Sequence, residues 1–504
     1  MTPHGSLFRP EDGWFGDVMP IHVDGTFHLF YTFLSRHDRG GPGVLKGLDW
    51  AHVATHDLLA FQELPIAIRR GGSDEPDLLA GAGSVVDAGD GTYVAFYCGI
   101  NPSLRMRGEA EQVVLRATSR DLVEWTKDDS FVLEADPRWY ERDDWRDPFV
   151  YSDGDVWRML LCARVPDGPF DRRGCIGTAT SPDLVSWTAE PPLLAPGITR
   201  APECPEIFAL DGEEYLIYST YSDRFASRYR LRADDGSWRR PSADALETND
   251  VYAINTVSDG EHRYAIGWLS TRAGDTDAGH RQWGGDLIAH ELVRRADGQL
   301  GVAPVEGALD RFDAQPAEFV ARAGEWALAG GDACFDGAGF GWCSLGEIGD
   351  TGLLEITVHL DDAAEEIGVA IRATNDFGAA YLLRLEPDHG RIVFDRRPHR
   401  IDVPFDADSD RSYVSASDHE LERPLRTDGG SVRIRVLVDG SAIVAYVGDV
   451  ALSTRGYDLC GGAFGVYAAN GRARFSTPAV GALVAPSASR GRVKRDPRPA
   501  TTDR

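Results

Sequence analysis

A four-residue pattern occurs three times along the chain at nearly constant spacing. Thr55-His56-Asp57-Leu58 is followed by Phe61, Ser119-Arg120-Asp121-Leu122 by Trp125, and Ser181-Pro182-Asp183-Leu184 by Trp187. The central Asp steps from 57 to 121 to 183, intervals of 64 and 62 residues. A second element, an Asp-Gly pair flanked by apolar and aromatic residues, is the signature of a tight hairpin turn. It is found at Asp24-Gly25, Asp90-Gly91, Asp153-Gly154, Asp211-Gly212 and Asp259-Gly260. Most of these pairs lead into runs such as Phe27-His28-Leu29-Phe30-Tyr31, Tyr93-Val94-Ala95-Phe96-Tyr97 and Tyr215-Leu216-Ile217-Tyr218, strand-like in composition and period. Residues 1–305 contain no long amphipathic helical stripe. Five repeats, each a small antiparallel sheet, predict an all-β fold in which residues 1–313 form a five-bladed β-propeller.

In a propeller the innermost strand of every blade borders the central channel, so residues just before the first turn converge on one axis. Reading back from the five turns gives Asp17, Ser84, Asp147, Glu203 and Asp250. Four of the five are carboxylates, and acids far apart in sequence would then share one pocket, the constellation that glycoside hydrolysis uses. Acids are common near turns in this chain, and Asp12, Asp87 and Asp144 also fall close by. Local context separates the candidates. Asp147 sits in Trp145-Arg146-Asp147-Pro148-Phe149, Glu203 in Ala201-Pro202-Glu203-Cys204-Pro205, and Asp17 in Gly13-Trp14-Phe15-Gly16-Asp17-Val18-Met19-Pro20. A carboxylate in such apolar surroundings must be paired, hydrogen-bonded or shifted in pKa.

Charge narrows the partners. The 504 residues include 52 Lys plus Arg against 80 Asp plus Glu, a net charge of −28. That excludes a basic footprint for nucleic acid and attraction to an anionic membrane surface, and it suits a neutral, hydroxyl-rich ligand. No stretch approaches the roughly 20 apolar residues of a membrane-spanning helix. The start, MTPHGSLFRP, has neither a basic nor an apolar leader region, so the expected location is cytoplasmic. The seven cysteines are scattered without a CxxC pair, and His52 and His56 lack the Glu of a zinc motif, so neither a metal site nor a cofactor is expected.

Trp14…Asp17, Arg146-Asp147-Pro148 and Glu203-Cys204-Pro205, in that order, resemble glycoside hydrolase family 32, the invertase, inulinase and levanase group, which shares its propeller and carboxylate triad with families 43 and 68. The likeness extends to Trp50-Ala51-His52, Gly83-Ser84 and Trp283-Gly284-Gly285 and covers nearly the whole chain. It implies that Asp17 is the nucleophile, Glu203 the general acid and base, and Asp147 a stabiliser of the transition state. It also implies Trp14, Trp50, Ser84 and Arg146 as sugar-contacting residues, and a retaining exo-hydrolase of terminal β-fructofuranosyl units acting on a small oligosaccharide or glycoside. Readings that keep the same residues are an arabinofuranosidase, a fructosyltransferase and a non-catalytic carbohydrate-binding propeller.

The chain departs from the family pattern where that pattern holds sugar hydroxyls. The Asn before the nucleophile is Gly16, the Gln after the first hairpin is Thr32, and the aromatic-Ser-Gly-Ser stretch of the second repeat is Gly81-Ala82-Gly83-Ser84. An insert, Arg36 to Gly43, offers Arg36, His37 or Asp38 as replacement contacts. After Pro304 the propeller repeat ends. Residues 314–325 read as a polar linker with one helical turn, and residues 326–485 as a β-sandwich accessory domain, with strands such as Leu353-Leu354-Glu355-Ile356-Thr357-Val358 and a Val438-Asp439-Gly440-Ser441 turn. Residues 486–504, rich in Ser, Arg and Pro, read as a disordered basic tail.

Overall fold

In the computed structural model, residues 7–40, 44–360, 364–399, 401–404, 412–414, 421–426 and 430–484 are described. The 486–504 tail and the tip of the 36–43 insert lie outside them. The first three hundred residues form five consecutive four-stranded antiparallel units, each running through its strands in sequence order. Their first, inner strands are Gly13–Val23, Leu79–Asp87, Trp145–Asp153, Glu203–Leu210 and Val251–Ser258, in units I to V. Each inner strand touches its neighbours in succession, and that of unit V returns to that of unit I. The third strand of unit V, Arg281–Arg294, also pairs with Gly13–Val23 at Phe15 and Gly285, fastening the last unit to the first.

All five Asp-Gly pairs sit at the hairpin between the first two strands of a unit. At Asp24-Gly25 (φ 49° and 77°) and Asp211-Gly212 (φ 50° and 80°) both residues are left-handed, the conformation of a two-residue turn matched to strand twist. The three-fold repeat has a separate job, closing the hairpin between the third and fourth strands of units I, II and III. The Asp57 carboxylate accepts the N–H groups of Leu59 and Ala60, Asp121 those of Val123 and Glu124, and Asp183 those of Val185 and Ser186. These bonds hold Leu58, Leu122 and Leu184 at φ of 57°, 63° and 62°, which a side chain resists. Burial of all three leucines between the units offsets that strain. The aromatic that ends the second and third copies reaches the preceding unit: Trp125 meets Phe30 edge-on at 5.5 Å and Trp187 meets Phe96 at 5.4 Å.

The second domain is a β-sandwich whose long strand, Ala463–Gly481, pairs with Asp332–Glu347, Glu366–Ala373 and Thr351–His359 and so belongs to both layers. Their inner faces share one core, with Leu354, Ile356, Val369, Leu383, Ile434, Val436 and Phe475 all buried. The segment 314–325 is not a linker. Gln315–Pro316 pairs with Val480 and Ala479, and Val320–Ala323 pairs along Asp332–Glu347, because its backbone groups find partners at the sandwich edges. The helical turn lies just before it, at Leu309–Arg311.

Buried polar bonds join the domains. Arg423 donates to the carbonyls of Ala245 and Glu247, Arg455 to those of Leu269 and Ser270, and the His290 ring lies 2.8 Å from the Tyr446 hydroxyl.

Asp121→Ala removes the acceptor for two backbone N–H groups and leaves Leu122 strained. Its melting temperature should fall by a few degrees, measured by differential scanning calorimetry, and Asp121→Asn, which keeps the acceptor, should lose less.

Candidate active site

Each of the five inner strands breaks register at the same level. Two residues face one at Gly16-Asp17, Gly81-Ala82, Asp147-Pro148, Cys204-Pro205 and Ala253-Ile254. A regular strand sends successive side chains to opposite faces, whereas a bulge re-aims them. Asp147 (φ 55°), Cys204 (φ 48°) and Ala253 (φ 51°) are left-handed at this point. Consecutive residues therefore share one cavity of about 530 Å³: Arg146 with Asp147, Glu203 with Cys204, and Gly81 with Ala82. Asp17, Tyr252 and Trp268 complete the same space.

Arg146 organises the charges. Its guanidinium donates to Glu203 Oε1 at 3.0 Å and Asp144 Oδ1 at 2.8 Å, and its Nε lies 3.8 Å from Asp147 Oδ2. Asp147 also accepts the Cys204 N–H at 3.1 Å. The second Glu203 oxygen accepts the Tyr252 hydroxyl at 2.6 Å. Burial, then the Glu203 charge, keeps that hydroxyl protonated far above the usual tyrosine range, so it remains a donor. Asp17 Oδ1 accepts the Trp268 indole N–H at 2.9 Å. Burial and the neighbouring Asp147 push the Asp17 carboxyl up to about 7 against the opposing Trp268 bond. Burial pushes Asp147 up to about 6, with Glu203 adding to the shift and Arg146 opposing it.

Of the residues expected at the site, Asp17, Asp147, Glu203 and Arg146 meet in this cavity; Trp14, Trp50 and Ser84 do not line it. Trp50 is fully buried and donates its indole N–H to the Gly81 carbonyl at 2.7 Å, tying unit I to unit II. The Ser84 hydroxyl donates to the Pro148 carbonyl and accepts the Val150 N–H, tying unit II to unit III. Trp14 packs behind the cavity wall with the Arg39 guanidinium 3.5 Å above its ring. Asp250 lies before its bulge and bonds Arg281, Arg272 and the sandwich residue Thr454, so it serves the domain interface. Among the insert residues, Asp38 bonds Ser35 and Arg70, while Arg39 donates to the Trp283 carbonyl; Arg36, His37 and Asp38 stay out of the cavity.

Residues that sequence reasoning missed are Tyr252, Trp268 and Phe225, and Trp283 stood only in a stretch of the family likeness with no role at the site. Tyr252 stands immediately before a bulge, as Glu203 does, but no Gly or turn signal marks that position. Gly16 explains Trp283. A Cβ at position 16 would sit 2.3 Å from the Trp283 ring and 2.4 Å from the Thr32 hydroxyl, so glycine makes room for the indole. Among the described residues no group of three His, Cys, Asp or Glu side chains could hold a metal ion.

Comparison with known proteins adds a family. Residues 8–300 match the glycosyl hydrolases family 32 N-terminal domain and residues 343–480 the glycosyl hydrolases family 32 C-terminal domain. A sucrose-6-phosphate hydrolase of Zymomonas mobilis is 25% identical over 475 residues, covering 88% of this chain and 84% of the relative. The Escherichia coli sucrose-6-phosphate hydrolase is 25% identical over 332 residues, 61% of this chain, and the match spans 65% of that relative. The exo-inulinase of Aspergillus awamori superposes with a TM-score of 0.71 at 18% identity over 95% of this chain and 98% of that one, a likeness of fold.

The raised Asp17 pKa has a consequence for stability. In the unfolded chain this carboxyl ionises near pH 4, in the folded chain only near 7, so folding takes up a proton between them and stability falls as pH rises through that window. Asp17→Asn removes that cost. By scanning calorimetry its melting temperature should exceed that of the wild type by several degrees at about pH 8, and the two should converge at about pH 4.

Proposed function

The chain belongs to glycosyl hydrolase family 32, and from that premise we propose that it is a retaining β-fructofuranosidase that removes terminal fructosyl units from small neutral fructosides. The observation that carries this reading is the pairing of Asp17 and Glu203 across one cavity, each held by a different donor. In this reading the five four-stranded units are the blades of a closed five-bladed propeller, and the cavity lies at the axis where their inner strands meet. About 530 Å³ suits a small ligand rather than a polymer threaded through the site.

The ionised Asp17 carboxylate attacks the anomeric carbon as Glu203 gives its proton to the departing glycosidic oxygen. The Trp268 N–H keeps one Asp17 oxygen fixed and leaves the other to react. Arg146 and Tyr252 orient the two Glu203 oxygens, so the acid is positioned before the substrate arrives. In the second step Glu203 takes a proton from water, the resulting hydroxide attacks the same carbon, and Asp17 leaves. Two inversions restore the starting configuration. Asp147, fixed by the Cys204 N–H, accepts ring hydroxyls and stabilises developing positive charge on the ring.

The two curated relatives described above are named for a phosphorylated substrate. Here both arginines lining the cavity are committed, Arg146 to Asp144 and Glu203, Arg281 to Asp250 and Asn249. Neither is left to neutralise a phosphate, which supports a neutral substrate. Side-by-side kinetics should give a higher kcat/KM for sucrose than for sucrose-6-phosphate.

NMR of products early in turnover should show the retained anomer, and Asp17→Asn should lose several orders of magnitude in kcat while still binding sugar. Because Asp17 must be ionised, kcat/KM of the wild type should fall as pH drops through 7 toward 6. An inverted product, or near-normal turnover by Asp17→Asn, would overturn the assignment.

A further inference from the structure

The cavity has two unlike walls. Units III, IV and V contribute the polar groups of Arg146, Asp147, Glu203, Tyr221, Tyr252 and Gln282, with the rings of Phe225, Trp268 and Trp283 among them. Units I and II contribute one polar side chain, that of Asp17, and beyond it Leu45, Leu48, Leu79, Ile100 and Pro102, none with a polar side-chain atom, beside Gly81 and Ala82. Leu48 and Leu79 pack with Leu34 into one cluster that Trp14, Leu45, Ile100 and Trp283 extend, so this wall is backed by core rather than solvent.

The backbone offers little polarity there either. The Leu48 carbonyl accepts the Ala80 N–H at 3.0 Å, and the Gly81 carbonyl accepts the Trp50 indole at 2.7 Å. The wall runs from buried Leu48 and Leu79, past half-buried Leu45 and Ile100, to exposed Pro102, from the interior to the mouth. It begins next to the nucleophile, because the Trp283 indole covers Gly16 and lies 6.0 Å from Trp268.

A sugar leaving group carries hydroxyls around its ring, and pressing them on this wall would strip their water without a replacement bond. An apolar group gains there instead. Resting on the fructofuranosidase reading above, we propose that the natural substrate is a β-fructofuranoside of an apolar alcohol, with an aryl or alkyl aglycone lying along Leu45, Leu48, Leu79, Ile100 and Pro102. The bond from the anomeric carbon to the aglycone oxygen breaks as Asp17 bonds that carbon, the Glu203 proton goes to the oxygen, and the free alcohol leaves. Water then releases fructose.

The test compares benzyl and methyl β-D-fructofuranoside, which differ only in the aglycone. With wild-type enzyme, kcat/KM for the benzyl glycoside should exceed that for the methyl glycoside by about tenfold or more. Leu45→Ser, half-buried on a surface hairpin, should cut this ratio to about threefold or less, and Ile100→Ser provides a second variant should the first fold poorly. Equal kcat/KM for the two glycosides, or a ratio that Leu45→Ser and Ile100→Ser leave unchanged, would overturn the proposal. Calorimetric binding to Glu203→Gln separates it from the reading it rests on. Tighter binding of the benzyl glycoside when neither glycoside turns over in the wild type would support the apolar wall while contradicting the hydrolase, and equal binding would contradict the wall.

Discussion

Arg146 is the charge on which the site depends. Three carboxyl groups, Asp17, Asp147 and Glu203, face one cavity where water screens them poorly; burial raises the pKa of Asp17 and Asp147, and the Arg146 charge opposes both shifts. The Arg146 side chain, 9% exposed, bonds Glu203 directly and lies beside Asp147. Asp17 is further from it in effect: the Trp268 bond ranks above Arg146 among the influences that lower its pKa. Asp17 stands at about 7 and Asp147 at about 6, both pushed up by burial with Arg146 opposing the shift at each. In the proposed mechanism Asp17, costly to ionise in the empty site, gives up that cost on forming a bond to carbon, so the strain between these groups lies along the reaction.

That arrangement exists because the inner strands are irregular. Arg146 and Asp147 are adjacent in sequence, and in a regular strand one would point away from the cavity. The bulge, with Asp147 at φ 55°, turns both inward, and the matching bulge at Cys204 brings its N–H within 3.1 Å of the Asp147 carboxylate. Four bonds between neighbouring inner strands or the strands behind them then fix the ring: Trp50 to Gly81, Ser84 to Pro148, Cys204 to Asp147, and Tyr252 to Glu203. Two of these are structural and two belong to the chemistry, yet all connect one unit to the next.

The sequence made the repeats legible because Asp-Gly turns and the Thr/Ser-x-Asp-Leu closure each demand particular residues for particular backbone angles. It made the acids legible because Asp147 and Glu203 stand beside prolines in apolar runs. It could not reveal the bulges: Asp147, Cys204 and Ala253 take left-handed angles without glycine, so counting back from the turns placed Ser84 and Asp250 at the site although both bond elsewhere. The family resemblance implied Trp14 and Trp50 as sugar-contacting residues, and nothing in the sequence marked Trp50 as buried and bonded to Gly81 or Trp14 as packed behind the cavity wall. The 314–325 segment read as a linker because its short strands pair with residues far along the chain, and that pairing leaves no local periodicity.

The central claim is that Asp17 forms a bond to the substrate and Glu203 then releases it. β-D-Fructofuranosyl fluoride has a leaving group that needs no proton, so in Glu203→Gln the first step proceeds while the second, which needs a base, stalls. After acid quench and proteolysis, mass spectrometry of that variant is expected to find one fructosyl unit on the peptide carrying Asp17. A fructosyl unit on Asp147, or unmodified protein with hydrolysis as fast as in the wild type, would contradict it.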